Sequence, residues 1–257
     1  MTHPDPSLVA AAADILAARR RSGSAGPRLP AACRPSDADT ALAVQDAVMA
    51  ILAADTGAWK CGTPAEGRVV AAPVHAGSVF HASPCAVADS GGRVRIEPEL
   101  AFVLARDLPP RDLPYAPADV DAAIGGARLA LELIRSRYDD PATVPFPEHL
   151  ADGLLNQGLF LGPEIDLALA RAAAAFPIEV RAEGEETVSM KGRHPDGNPL
   201  LPLYWLAEFL RRRGRGLRAG EAVITGSYVP SFEVPAGREI TLCFGDLGTL
   251  AIRFNAP

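Results

Sequence analysis

The segment Arg93-Val94-Arg95-Ile96-Glu97-Pro98-Glu99-Leu100-Ala101-Phe102-Val103-Leu104 limits the folds open to this chain more than any other. Its apolar and β-branched residues (Ile96, Leu100, Phe102, Val103, Leu104), preceded by Gly91-Gly92, predict a β-strand. Residues i and i+2 of an extended chain share a face, so Glu97 and Glu99 point the same way. Pro98 lacks a backbone donor, which predicts an edge or bulged position. Like charges side by side repel unless a cation sits between them, and oxygen ligands suit magnesium, manganese or calcium. The competing reading is a solvated strand face that happens to carry two glutamates.

A second segment, Arg128-Leu129-Ala130-Leu131-Glu132-Leu133-Ile134, is an apolar run with one carboxylate in its middle. A glutamate buried there, charged and without a partner, costs several kcal/mol. Either Glu132 faces solvent or it meets a cation. With it, the three carboxylates Glu97, Glu99 and Glu132 form the minimum protein set for an open Mg²⁺ or Mn²⁺ site that leaves room for substrate and water.

Composition narrows the partners. The 257 residues suffice for one large domain, or one domain and a smaller appendage, and 48% hydrophobic content builds a sizeable core. A net charge of −6 without a basic cluster argues against nucleic acid, and Arg211-Arg212-Arg213 reads as a solvated helix end. Cys33, Cys61, Cys85 and Cys243 form no C-x-x-C pair, which argues against zinc and fits reduced thiols. Met1-Thr2-His3-Pro4-Asp5-Pro6 lacks the features of a signal peptide, and no apolar run reaches the length of a membrane span. A soluble, cytoplasmic protein is the expectation.

Apolar spacing predicts a helix from about 7 to 22 with Ser7 as N-cap, and a second from about Asp37 to Thr56 stopped by Gly57. Residues 1–57 then form a helical segment packed on a body of residues 58–257. Within the body, Trp59–Gly62 predicts a short strand and Val87–Leu104 a hairpin carrying the two glutamates. Pro117 to about Gly125 predicts a helix, Leu159–Gly162 and Ile178–Arg181 strands, and Leu200–Arg213 the strongest helix. The chain ends in strands at Ala222–Thr225, Glu239–Phe244 and Leu250–Phe254. Arg137–Gly153, with three prolines and no clear period, predicts a long loop acting as a mobile lid. Strands outnumber helices without regular βαβ alternation, which gives a β-rich α+β fold.

Several ordered motifs resemble the fumarylacetoacetate hydrolase superfamily, in its 2-keto-4-pentenoate hydratase and 4-oxalocrotonate decarboxylase branch. They are Ile96-Glu97-Pro98-Glu99-Leu100-Ala101-Phe102, Ala130-Leu131-Glu132-Leu133-Ile134-Arg135-Ser136-Arg137 and Gly158-Leu159-Phe160-Leu161-Gly162. Asn198-Pro199-Leu200 with Trp205-Leu206-Ala207, Leu217–Ser227, and Phe244–Thr249 to Phe254 continue the likeness over most of the chain.

The resemblance implies a distorted mixed β-roll with flanking helices. It implies a divalent cation, Mg²⁺ or Mn²⁺, on Glu97, Glu99 and Glu132. Its substrates are 2-oxo acids or their enols, such as 2-hydroxypentadienoate-like intermediates of aromatic catabolism, and its chemistry is that of a hydratase or decarboxylase. Lys60 stands in the place of the family's active-site lysine; read without the family it is a strand-surface lysine. Thr225 and Ser227 bind a substrate carboxylate or serve turn chemistry beside Gly226. Arg137 is a carboxylate clamp or an ion-pair residue.

Two departures stand out. The family's acid/base aspartate after the lysine motif is missing from Ala72-Pro73-Val74-His75-Ala76-Gly77-Ser78, which leaves His75 or His81 as replacement or as structural histidines. Its hydroxyl-bearing stretch before the Gly-Leu-Phe strand is here Leu155-Asn156-Gln157-Gly158, which offers Asn156 to the substrate, and Arg135 stands where many members carry an acidic or small residue. Two other functions compete: C–C hydrolysis of an acylpyruvate, and a non-catalytic metal- or ligand-binding partner subunit. The resemblance also implies a homo-oligomer and a complex with a related enzyme.

Overall fold

A computed structural model describes residues 4–65 and 68–255. Met1–His3, part of the stretch read for a leader, lie outside the described residues. The first helix, α1 (Pro6–Ser22), is capped by Asp5 rather than Ser7: the Asp5 carboxylate accepts from the Ser7 N–H at 2.9 Å, and Pro6 takes the first helical position. Asp37 caps α2 (Ala38–Ile51) by accepting from Thr40 N–H at 2.8 Å. That helix ends at Leu52, short of Gly57. Gly57 lies instead within a strand, where a Cβ would sit 2.6 Å from the Ala76 backbone, so it permits a close approach rather than stopping a helix.

Along the body follow β1 (Thr56–Ala65), β2 (Arg68–His75), β3 (Val79–Phe80), β4 (Cys85–Ala86), β5 (Arg93–Leu104), α3 (Pro117–Ala123), β6 (Ile124–Ile134), α4 (Phe146–Ala151) and β7 (Asn156–Ile165). Then come α5 (Leu167–Ala172), β8 (Ala175–Ala182), β9 (Val188–Arg193), α6 (Leu201–Arg212), β10 (Ala222–Ile224), β11 (Phe232–Pro235), β12 (Glu239–Phe244) and β13 (Thr249–Asn255). One sheet runs β2-β1-β10-β5-β6-β7-β3 with β11 also paired to β5; the other runs β4-β13-β12-β8-β9. The first is mixed, β1/β10 and β3/β7 being parallel, and β2 approaches β7, so the sheet curls into a distorted roll.

The faces of β5 and β6 have opposite tasks. Leu100, Phe102 and Leu104 with Leu129, Leu131 and Leu133 meet Ile240, Leu242 and Phe244 in the main core. The inner face carries Ala58, Ala101, Ala130 and Ala222 with Ile224, Leu159 and Leu161, small residues that let strands close on one another across the roll.

Three expectations are corrected. The Val87–Leu104 hairpin does not form: β5 pairs with β6, β10 and β11, while β4 joins β13. Pro98 is neither at an edge nor in a bulge, since the β5/β6 register runs unbroken from Arg95 to Val103. It faces the gap between β10, which ends opposite Ala101, and β11, which begins opposite Ile96, so no ladder partner asks it for a donor. Finally, Arg137–Gly153 is not a free lid. Tyr138, Leu150 and Ala151 are buried with Leu16, Ala41 and Val48 of the N-terminal helices in a second small core. Strand β1 itself runs across the expected 57/58 boundary.

Candidate active site

Sheet register creates the site. Glu97 of β5 lies directly opposite Glu132 of β6, and Glu99 opposite Ala130, on the inner face of the roll. Like charges directly opposed on neighbouring strands are destabilising, yet Glu132 is fully buried and Glu99 nearly so. One carboxylate oxygen from each of Glu97, Glu99 and Glu132 lies within 4.8 Å of the others. One cation could draw them together with small side-chain adjustments.

The surroundings fix these carboxylates. Glu132 Oε1 accepts from Asn156 Nδ2 at 2.8 Å and lies 2.7 Å from the Lys60 ammonium, which crosses the roll from β1. Glu132 Oε2 is buried and has no hydrogen-bond partner among the described residues. Glu99 Oε2 accepts from the Gly226 N–H at 2.7 Å. Lys60 also donates to Leu154 O at 3.1 Å. Leu154 and its neighbour Leu155 both hold left-handed backbones (φ 55° and 66°), a strained pair, each member costing on the order of 1–3 kcal/mol.

Protonation reflects the crowding. Burial, then the charge of Glu132, pushes Glu97 up to about 7, against an opposing pull from Lys60. Burial and the charges of Glu132 and Glu97 raise Glu99 well above the ordinary carboxylate range. Burial acts to lower Lys60, but the charges of Glu132, Glu97 and Glu99 outweigh it, and the ammonium ends above its ordinary value. One ammonium cannot balance three carboxylates, so the empty charge is met by protons. An orphaned buried oxygen, an all-oxygen donor set and this charge deficit fit a hard divalent cation.

The remaining candidates divide. Asn156 touches the cluster directly. Thr225 and Ser227 flank Gly226, but their hydroxyls already have protein partners: Thr225 Oγ1 lies 3.4 Å from His194 Nε2, and Ser227 Oγ donates to Val229 O at 2.6 Å. Arg137 is buried, its Nε 2.6 Å from Asp152 Oδ1, which is the ion-pair alternative realised. His75 and His81 do not join the carboxylates. His75 is pushed down to about 4 by burial and by Arg20 and Arg137, so it stands beside arginines and stays neutral, while His81 is exposed. Three contributors went unread in sequence: the Gly226 N–H, the Leu154 carbonyl and buried His194, which packs edge-on to Tyr228. Only His194 left a signal, the Pro195-Asp196-Gly197 turn that follows it.

The model of the fumarylacetoacetate (FAA) hydrolase C-terminal family matches residues 64–255. A 2-keto-4-pentenoate hydratase of Dechloromonas aromatica (strain RCB) is 32% identical over 164 residues, 62% of this chain and 60% of that protein. A 2-hydroxyhexa-2,4-dienoate hydratase of Comamonas testosteroni is 27% identical over 161 residues, 63% of this chain and 60% of the relative. The chain thus spans about 60% of the length of the curated relatives it matches. Among solved structures, 4-oxalocrotonate decarboxylase from Pseudomonas putida G7, complexed with magnesium and adipate, superposes with a TM-score of 0.80 over 97% of this chain and 98% of that one, at 19% identity, which speaks to the fold. With a matched model spanning nearly the whole body and a roll of the same architecture, the chain belongs to the fumarylacetoacetate hydrolase family.

Proposed function

We propose that this protein is a divalent-metal-dependent lyase, a hydratase or decarboxylase acting on 2-oxo acids or their enols. The observation that carries this reading is the convergence of Glu97, Glu99 and Glu132 with Lys60 at 2.7 Å in the interior of the roll. Glu97, Glu99 and Glu132 would hold Mg²⁺ or Mn²⁺, in keeping with the magnesium and calcium complexes of the decarboxylase of like fold. When bound, the cation supplies Lewis acidity toward a chelating 2-oxo acid.

The chain's own groups do the rest. Asn156 and the Gly226 N–H orient Glu132 and Glu99 so that their free oxygens face inward. Lys60 Nζ, anchored by Leu154 O, holds a proton at the mouth of the carboxylate group and can deliver it to the carbon beside the keto function. Thr225 and Ser227 place hydroxyls beside the same glycine, where a substrate carboxylate can displace their protein partners. Hydrolysis of an acylpyruvate needs a base to activate water, and with His75 among arginines that reading has less support. A cytoplasmic homo-oligomer, associated with a related enzyme, belongs to the same reading.

The test uses chain stripped of metal and resupplied with Mg²⁺ or Mn²⁺. It follows the loss of dienol absorbance from 2-hydroxypenta-2,4-dienoate, and carbon dioxide release from a carboxylated 2-oxo acid. Metal-dependent turnover of either is the expected outcome. Metal binding without turnover of either would leave the non-catalytic partner reading in its place.

A further inference from the structure

A second feature lies one short segment away. A cavity of about 530 Å³ opens there, and the three glutamates do not line it. Its walls carry Arg19, Arg20 and Arg21 from the last turn of α1, Arg135 and Arg137 from beyond β6, and His75. Among the described residues Asp55 is the one carboxylate on the lining, in a chain whose net charge is −6. Segment Leu154–Gln157 separates the two places: Leu154 O holds Lys60, Asn156 holds Glu132, Leu155 O accepts from Arg135 N–H at 2.8 Å, and Gln157 lines the cavity.

These guanidinium groups are held mostly by backbone carbonyls, with less carboxylate charge than they carry. Arg19 donates to Arg137 O at 2.9 Å and Pro27 O at 2.8 Å, and Arg20 donates to Asp152 O at 2.8 Å. Backbone carbonyls fix a cation in place but cancel no charge. Among the described residues Arg137 alone of the five pairs directly with a carboxylate, Asp152, whose charge also reaches Arg20, so one carboxylate serves two guanidinium groups. Arg135 makes no side-chain hydrogen bond or ion pair among the described residues and is half-buried at the cavity wall. Fixed, like-charged forks around one open cleft repel one another unless an anion completes them. The volume falls in the range of roughly 300–1,000 Å³ typical of small-molecule sites.

We propose that this cleft binds a small polyanion, a di- or tricarboxylate or a phosphate compound, through its arginines and independently of any divalent cation. Metal-stripped chain, desalted into chelator-free buffer, is titrated calorimetrically with citrate and with inorganic pyrophosphate. At about 50 mM salt, where screening is modest, at least one binds with a Kd below about 1 mM. Arg135→Gln, which breaks no side-chain hydrogen bond or ion pair among the described residues, weakens that binding by about tenfold or more. Arg238→Gln, a distant exposed charge, changes it by less than about twofold. Bound anion also raises the titration of His75, read by NMR, from its starting point of about 4. Preference for citrate assigns carboxylates and preference for pyrophosphate assigns phosphates; either supports the site. No binding of either anion, or binding that Arg135→Gln leaves unchanged, overturns it. Because the titration is run without metal, failure of the lyase reading leaves this result standing.

Discussion

The carboxylate group and the arginine cleft both crowd like charges, and they resolve the crowding by different means. Carboxylates can take up protons: Glu97 is pushed up to about 7 and Glu99 higher than its ordinary range, so part of the negative charge disappears when no cation is present. Guanidinium groups hold theirs. Even Arg20, pushed down to about 9 by burial and by Arg137, stays charged near neutrality. The first place is thus an adjustable receptor whose charge follows pH, and the second a fixed one. Each difference predicts a measurement.

The largest effect falls on Lys60. Lys60→Met keeps the bulk and removes the proton, so turnover drops by on the order of 10²–10⁴ while metal affinity, read by calorimetry, shifts little. Next comes Asn156→Ala, which frees Glu132 to rotate and lowers metal affinity by roughly 10–100-fold. Third is the pH response of Glu97. Its pKa is about 7 in the fold against an ordinary 4.5, so between those values the folded chain holds more protons than the unfolded one. Stability of the metal-free chain therefore falls as pH rises through that window. Glu97→Gln lacks the penalty and is more stable by about 1–3 kcal/mol at pH near 8 in urea unfolding, the gain vanishing near pH 4. The smallest is Arg135→Gln, whose effect on stability stays within about 0.5 kcal/mol across the same pH range, because its charge is fixed and unpaired. A pH-dependent response from Arg135→Gln, or none from Glu97→Gln, would erase the contrast between the two places.

Much of the fold was legible because its carriers are local. The i, i+2 spacing puts Glu97 and Glu99 on one face of β5, and the apolar stripe from Leu203 to Leu210 marks α6. Glu132 in its apolar run needed one further step, that burial of a charge demands a partner. What stayed hidden depends on pairing across the chain. Nothing local says that Glu97 faces Glu132, that Gly226 turns its N–H to Glu99, or that Arg19-Arg20-Arg21 meets Arg135 and Arg137 across more than a hundred residues. The lid expectation for Arg137–Gly153 failed for a related reason. Its prolines resemble loop punctuation, whereas Tyr138 and Leu150 are core residues whose partners lie in helices α1 and α2.

Pro98 acts as a key for strand alignment. Alternate residues of β5 turn their backbone groups toward β10 and β11, and Pro98 O accepts from Tyr228 N–H in the gap between those strands. A one-residue slip would rotate both glutamates into the leucine-rich core. A two-residue slip restores the faces but brings the missing donor under β10 or β11, where the ladder requires one. The glutamates make the first wrong alignment costly and the imino acid the second, so the geometry of the carboxylates is protected during assembly of the sheet, before any cation or substrate arrives.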